Sequence, residues 1–328
     1  QFLLGFFVII FNHSVSLSEI SLKKCYNYVS MNGILNVYKE AGWTSFDVVA
    51  KLRGILKTKK IGHGGTLDPQ VTGVLPVAVG KATRLLEYME EAGKVYEGEV
   101  TIGFSTETED AEGEVIETTP VPSTLSDEEI DEVMTRFVGE IQQVPPMYSA
   151  VKVKGKRLYE YARAGQMVER PIRKVTIKSF TRTSPVTFEK GCARFTFRVA
   201  CSKGTYIRTL AVDLSDALGY AGHMSKLQRT AANGLHIADA LTLEQIETLV
   251  KAEKLDEILQ PNEVAVSDLP RLDVTDEQAA AVRVGKKFEE AEFAKLGEAT
   301  RFSFFYQDQL IAVYMRHPEK PGILKPNK

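Results

Sequence analysis

The alternation of apolar and polar positions divides the chain into elements before any chemistry is considered. From Lys94 to Phe104, the residues Tyr96, Gly98, Val100, Ile102 and Phe104 share one face, with Glu97, Glu99 and Thr101 opposite. That period of two predicts a half-buried strand. Ala193, Phe195, Phe197, Val199 and Cys201 repeat the pattern and predict another. Elsewhere a period near 3.6 takes over. Phe46, Val49, Leu52 and Ile55 form one side of a helix capped by Thr44 or Ser45. Ile130, Val133, Met134, Phe137, Val138 and Ile141 form the buried side of a second, opened by a Ser126–Glu129 capping box and ended at Val144-Pro145-Pro146. Further helices are expected over 80–89, after the Gly204-Thr205 turn, and behind Thr242 with Gln245.

Between these elements, 61–75 reads IGHGGTLDPQVTGVL, too rich in glycine and proline for a helix and therefore a shaped loop. It leads into a short apolar run, 74–79. Residues 146–173 read as an exposed basic arm carrying Tyr148, Tyr159 and Tyr161. Asn262 marks a boundary. Beyond it lies a smaller unit with a capped helix over 275–284 and two strand-like runs around Gln307-Asp308. The expected organisation is a main domain over 31–261, with the arm at 146–173, and a small domain over 262–328.

Composition excludes a disordered or collagen-like chain, since 44% of the 328 residues are hydrophobic. A net charge of −2 argues against a nucleic-acid binder until its distribution is considered. Residues 105–135 hold eleven acidic side chains and no Lys or Arg, whereas 151–182 hold ten basic against two acidic. Affinity for a polyanion depends on the local patch rather than on the sum; each run alone is equally an ordinary solvated face. Cys25, Cys192 and Cys201 form no CxxC pair and fit a reducing cytoplasm. The five histidines fall at no metal-ligand spacing, so no zinc site is expected. Phe2 to Phe11 is apolar but too short to span a membrane, and no basic residue precedes it. Met31 opens a more ordinary start, so residues 1–30 are expected to be an extraneous or disordered extension.

Gly80-Lys81 suggests a phosphate loop, but six residues separate it from Gly73, most of them bulky, and Ala82 follows the lysine. Lys81 is instead a surface or RNA-facing charge. Asp68 stands before Pro69, which keeps it out of the helical region. It is either a turn aspartate bonding its own backbone or a carboxylate presented to a ligand. Arg208, just past the Gly204-Thr205 turn, is either a surface arginine or the partner of a buried acid. Tyr96 and Tyr206 stack on a base or fill a core. His63 stacks, donates a hydrogen bond or satisfies its loop.

Five segments in order resemble one family, the TruB-type pseudouridine synthases. They are GHGGTLDPQVTGVLPVAVGKATR (62–84), KVYEGEVTIGFSTETEDAEG (94–113), VPPMYSAVKVKGKRLYEYARAG (144–165), CSKGTYIRTLAVDL (201–214) and HMSKLQRT (223–230). The resemblance runs from about Met31 to Asp239; the tail after Asn262 is loosely similar to the family's PUA-like RNA-binding domain. It implies an α+β fold: a central mixed, largely antiparallel sheet flanked by helices, with a small β-rich carboxy-terminal domain. It also implies roles. Asp68 is the nucleophile. Tyr96 stacks on the target uridine and serves in proton transfer, and Arg208 pairs with Asp68. Tyr206 and Leu227 wall the pocket, and His63 fills space vacated by a flipped base. The implied substrate is uridine 55 in the T-loop of tRNA, isomerised after base flipping. That chemistry needs one oriented carboxylate, a dry pocket and a group for proton movement, with no cofactor and no metal. A monomer without membrane attachment or guide RNA is expected. The rival readings are an RNA-binding protein with an idle loop, and a guide-dependent relative that lacks the long arm.

Overall fold

Helices begin where the caps predict. In the computed structural model, which describes residues 31–294 and 296–327, Thr44 Oγ1 accepts the Asp47 N–H and the Asp47 carboxylate accepts the Thr44 N–H, opening the helix Ser45–Leu56. The expected extension, residues 1–30, lies outside the described residues. The buried side of this helix is Ser45, Val48, Val49, Leu52 and Leu56, so the expected stripe is rotated: Phe46 is exposed and Ile55 half-buried. The cause is Ser45, whose hydroxyl accepts the Leu67 N–H at 2.9 Å and so turns its own face inward. Ser126 and Glu129 form the predicted capping box, but the helix they open ends at Thr135, not near Ile141. Gly139, at φ 110°, turns the chain in a way that favours glycine, and Ile141 then enters a strand. Phe137 and Ile141 still pack on the core, which is why their spacing imitated a helix.

The strands of the main sheet are β1 (Gly33–Lys39), β2 (Ile61–His63), β3 (Thr72–Val79) and β4 (Lys94–Ile102). Phe104 leaves the expected strand. Gly103, at φ 131°, breaks it, and Phe104 opens a separate hairpin, β5 (Phe104–Thr106) with β6 (Val115–Thr118). The sheet resumes with β7 (Gly139–Gln143). The arm carries a small hairpin of β8 (Lys152–Val153) and β9 (Lys156–Arg157), and a short helix, Leu158–Arg163. Then follow β10 (Arg173–Arg182), β11 (Thr187–Glu189), β12 (Cys192–Cys201), β13 (Gly222–Ala232), β14 (Leu235–His236) and β15 (Leu259–Gln260). Their order is β15-β1-β3-β13-β4-β12-β10-β7. Neighbours along it are antiparallel except β3 and β13, which pair in parallel at Gln228↔Thr72 and Arg229↔Gly73. The sheet is thus mixed and largely antiparallel, and β13 links the start of β3 to Tyr96 and Glu97 of β4 across one strand.

Helices Ser45–Leu56 and Leu243–Lys251 cover β1 and β3 through Val48, Leu52, Leu56 and Ile246 against Leu35, Val37, Leu75 and Val77. Each such side chain, fully buried, contributes roughly 1.5–3 kcal/mol. Helices Asp127–Thr135 and Ile207–Ala217 cover β4, β10 and β12 around Phe195 and Phe197. A second sheet closes the chain: β16 (Arg271–Asp273), β17 (Phe288–Glu289), β18 (Arg301–Tyr306), β19 (Gln309–Arg316) and β20 (Ile323–Pro326), in the order β16-β18-β19-β20-β17. Its core is aromatic, with Phe304 stacked on Tyr314 at 4.3 Å. No helix among the described residues is long and apolar enough to cross a membrane.

Candidate active site

A cavity of about 470 Å³ opens where the loop between β2 and β3 meets β4, β13, the root of the arm and the turn before Ile207. The β2–β3 loop carries Asp68 and is fixed from three sides. Ser45 Oγ holds the Leu67 N–H. Lys39 Nζ, buried at the end of β1, donates to the carbonyls of Trp43 at 2.6 Å, Pro69 at 2.8 Å and Glu40 at 3.1 Å. Arg229, fully buried on β13, donates to Val74 O at 2.7 Å and Gly65 O at 3.2 Å. Arg229 comes this close because Gly73 faces it across the parallel rung; a Cβ there would lie 2.2 Å from the Arg229 carbonyl.

Asp68 and Arg208 meet. Arg208 Nε lies 3.0 Å from Asp68 Oδ2. The arginine side chain is 6% exposed and the aspartate 46%, so the acid stands half-exposed in the cavity wall instead of buried as expected. Arg208 spends its other donors on Thr108 O at 2.9 Å and Tyr148 O at 3.0 Å, with Asp110 Oδ2 3.9 Å from Nε. One guanidinium therefore joins the loop of Asp68, the turn of the β5–β6 hairpin and the root of the arm. Tyr148 adds a second tie, its phenol donating to Glu107 Oε1 at 2.8 Å.

Tyr96 lines the cavity from β4, 7% exposed, and burial pushes its phenol above the usual range. Leu227 and Tyr206 complete the wall. Tyr206 is held by its backbone: its N–H donates to Gln143 Oε1 at 3.0 Å, and Gln143 Nε2 donates back to its carbonyl at 3.2 Å. His63 sits half-buried on β2, its Nδ1 facing the Gly65 N–H at 3.4 Å. Burial, then the charge of Arg229, lowers its pKa, which favours the neutral ring. Lys81 is exposed in the 3-10 helix Gly80–Leu85, at the opposite end of β3 from Asp68 and outside the cavity.

Sequence reasoning missed three buried cations. Lys39 and Arg229 hold the loop. Lys94 lines the cavity, donating to Ala92 O at 2.7 Å and Glu90 O at 3.0 Å, with its pKa lowered to about 8 chiefly by burial. A signal for Lys94 existed: it falls on the same strand face as Tyr96, Gly98 and Val100. Arg173 and Lys203 add exposed positive charge at the rim.

The cavity thus joins a fixed carboxylate, aromatic walls and a rim of exposed positive charge. The chain belongs to the TruB family of tRNA pseudouridine synthases, which are isomerases. Residues 53–207 match the family model "TruB family pseudouridylate synthase (N terminal domain)", and 208–267 match "tRNA pseudouridylate synthase B C-terminal domain". Proteins named tRNA pseudouridine synthase B are similar along most of the chain. The one from Lactococcus lactis subsp. lactis is 64% identical over 91% of this chain and 98% of its own. The one from Streptococcus sanguinis is 57% identical over 88% and 97%. Among solved structures, a chain of a Cbf5-Nop10-Gar1 complex superposes with a TM-score of 0.66 at 32% identity, covering 86% of this chain and 78% of that one. A chain of an H/ACA RNP bound to a substrate RNA containing 2'-deoxyuridine gives 0.64 at 28% identity, covering 89% and 80%. The α+β fold expected from the sequence is the fold observed.

Proposed function

We propose that this chain isomerises uridine 55 in the T-loop of tRNA, with Asp68 as nucleophile, acting as a monomer without a guide RNA. The observation that carries the reading is the 3.0 Å contact between Arg208 and the half-exposed Asp68 in a cavity walled by Tyr96, Tyr206 and Leu227. The target base is extruded from its loop at a cost of a few kcal/mol, offset by contacts to the basic arm. Asp68 adds to the base or to C1′. The N1–C1′ bond breaks, the base turns, C5–C1′ forms, and the C5 proton is lost while N1 gains one. Tyr96 stacks on the base and serves the proton step, and His63 occupies the vacated space. The small carboxy-terminal sheet, within 262–328, is a second RNA contact.

The test uses purified full-length chain and bare tRNA labelled with tritium at C5 of uridine. Expected is stoichiometric tritium release from one uridine per tRNA, mapped to position 55. Asp68→Asn abolishes release while tRNA affinity stays within about tenfold. Release by a clean Asp68→Asn sample, or a requirement for an added guide RNA, overturns the reading.

A further inference from the structure

Ser149 lies in the arm root between β7 and β8, 5% exposed, its carbonyl accepting the Tyr159 N–H at 3.1 Å. Its hydroxyl is buried and has no hydrogen-bond partner. Among the unpartnered buried side-chain atoms of the described residues, this one belongs to a residue lining the cavity. A buried hydroxyl without a partner is destabilising, and a polar group entering the cavity beside it can supply the missing bond. The position is also fixed. The preceding residue, Tyr148, gives its carbonyl to Arg208, so Ser149 is held one residue from the Asp68 ion pair.

The arriving group is neutral. A phosphate at this place would meet the carboxylates of Asp68 and Asp110, both close to Arg208 and already compensating it. Cations suited to phosphate, Arg173 and Lys203, stand apart at the exposed rim. A serine hydroxyl both donates and accepts, and its best complement is another hydroxyl. In a uridine presented to Asp68, the hydroxyl nearest the reacting centre is the ribose 2′-OH, one carbon from C1′.

We propose that Ser149 Oγ hydrogen-bonds the 2′-hydroxyl of the target nucleotide and makes this site selective for ribose over deoxyribose. The proposal rests on the pseudouridine-synthase reading above and adds a specificity-determining residue to it. Recognition of a 2′-OH is the means by which a protein separates RNA from DNA at one position.

The experiment is a cycle of two proteins, wild type and Ser149→Ala, against two tRNAs that differ only by 2′-deoxyuridine at the target. Single-turnover rates and equilibrium binding are both read. Expected is a loss of about tenfold in rate over affinity for Ser149→Ala on the ribose substrate. On the 2′-deoxy substrate the two proteins become equal. The thermal midpoint of Ser149→Ala equals or exceeds that of wild type, because an unpaired buried hydroxyl has been removed; a purely structural role predicts a fall. An undiminished penalty on the 2′-deoxy substrate, or none on the ribose substrate, overturns the contact while leaving the isomerase reading intact. A wild-type protein inert on the ribose substrate overturns both.

Discussion

Lys39 and Pro69, thirty residues apart, are joined by a 2.8 Å hydrogen bond from a fully buried ammonium to the carbonyl next to Asp68. The strand that begins the sheet thereby sets the height of the carboxylate in the cavity. Lys39→Met keeps the apolar stem but leaves three carbonyls without their donor. Unfolding in urea is expected to show a loss of about 2–4 kcal/mol. Activity of the folded fraction is expected to fall as well, since the loop loses its fixed height.

Arg208 orients Asp68 only because two backbone carbonyls, those of Thr108 and Tyr148, orient Arg208. A lysine there keeps the charge but cannot reach Asp68, Thr108 O and Tyr148 O together. Arg208→Lys is expected to slow single-turnover pseudouridine formation by about a hundredfold while tRNA binding stays nearly unchanged. Near-normal rates in this variant would show that orientation by the guanidinium is unimportant.

Gly73 and Arg229 test the close approach of β3 to β13. An alanine at 73 would place its Cβ 2.2 Å from the Arg229 carbonyl, and the φ of 106° is itself unfavourable for an L residue. Gly73→Ala is expected to cost at least about 3 kcal/mol in urea unfolding. Arg229→Met, which strips donors from Val74 O and Gly65 O, is expected to cost about as much. Soluble Gly73→Ala protein with wild-type stability would contradict the geometry of this rung.

The helix behind Arg208 carries a pH dependence. Burial, then the charges of Glu109 and Asp216, push the Asp213 carboxyl up to about 6, and burial raises Glu109 beside it. Both acids ionise near pH 4 when the chain is unfolded. Between about pH 4 and about 6 the Asp213 carboxyl holds a proton in the native state that it has lost in the unfolded one. The contribution of Asp213 to stability is therefore full below about pH 4 and is lost as pH rises through about 6, and the raised Glu109 acts with the same sign. Asp213→Asn is expected to match wild type at pH 4 and to exceed it by about 1 kcal/mol at pH 7, a figure reduced for partial solvent screening. Urea titrations at the two pH values check both the sign and the size.

The elements that a local rule governs were legible. Ser126, Thr242 and Thr275 cap their helices because the cap and its third residue bond each other within four positions. The two alternating strands lie where their period puts them, paired across Tyr96↔Val199, except that the first stops at Ile102 before Phe104. Asp68, Tyr96, Arg208, Tyr206 and Leu227 come together in one cavity wall, while His63 and Lys81 lie outside it. What stayed hidden is what distance decides. Phe46 faces water because Ser45 is bonded to Leu67, twenty-two residues away. Ile141 joined a strand because β10 offered it a partner thirty-four residues downstream, at Val175. Lys39 and Arg229 went unnoticed because nothing local announces a buried cation, and for Lys94 the strand face it shares with Tyr96 was the one sign. Their acceptors are backbone carbonyls, which carry no residue identity.

Glu91 offers one oxygen to Lys203 at the cavity rim and the other to Arg301 of the small sheet. A carboxylate gripped from both sides works as a linchpin. Displacement of the small sheet would therefore be felt at Glu91 and, through it, at Lys203 on the cavity rim. Trimming the chain before Arg301 would thus take away one of the two partners that steady Glu91 at the threshold.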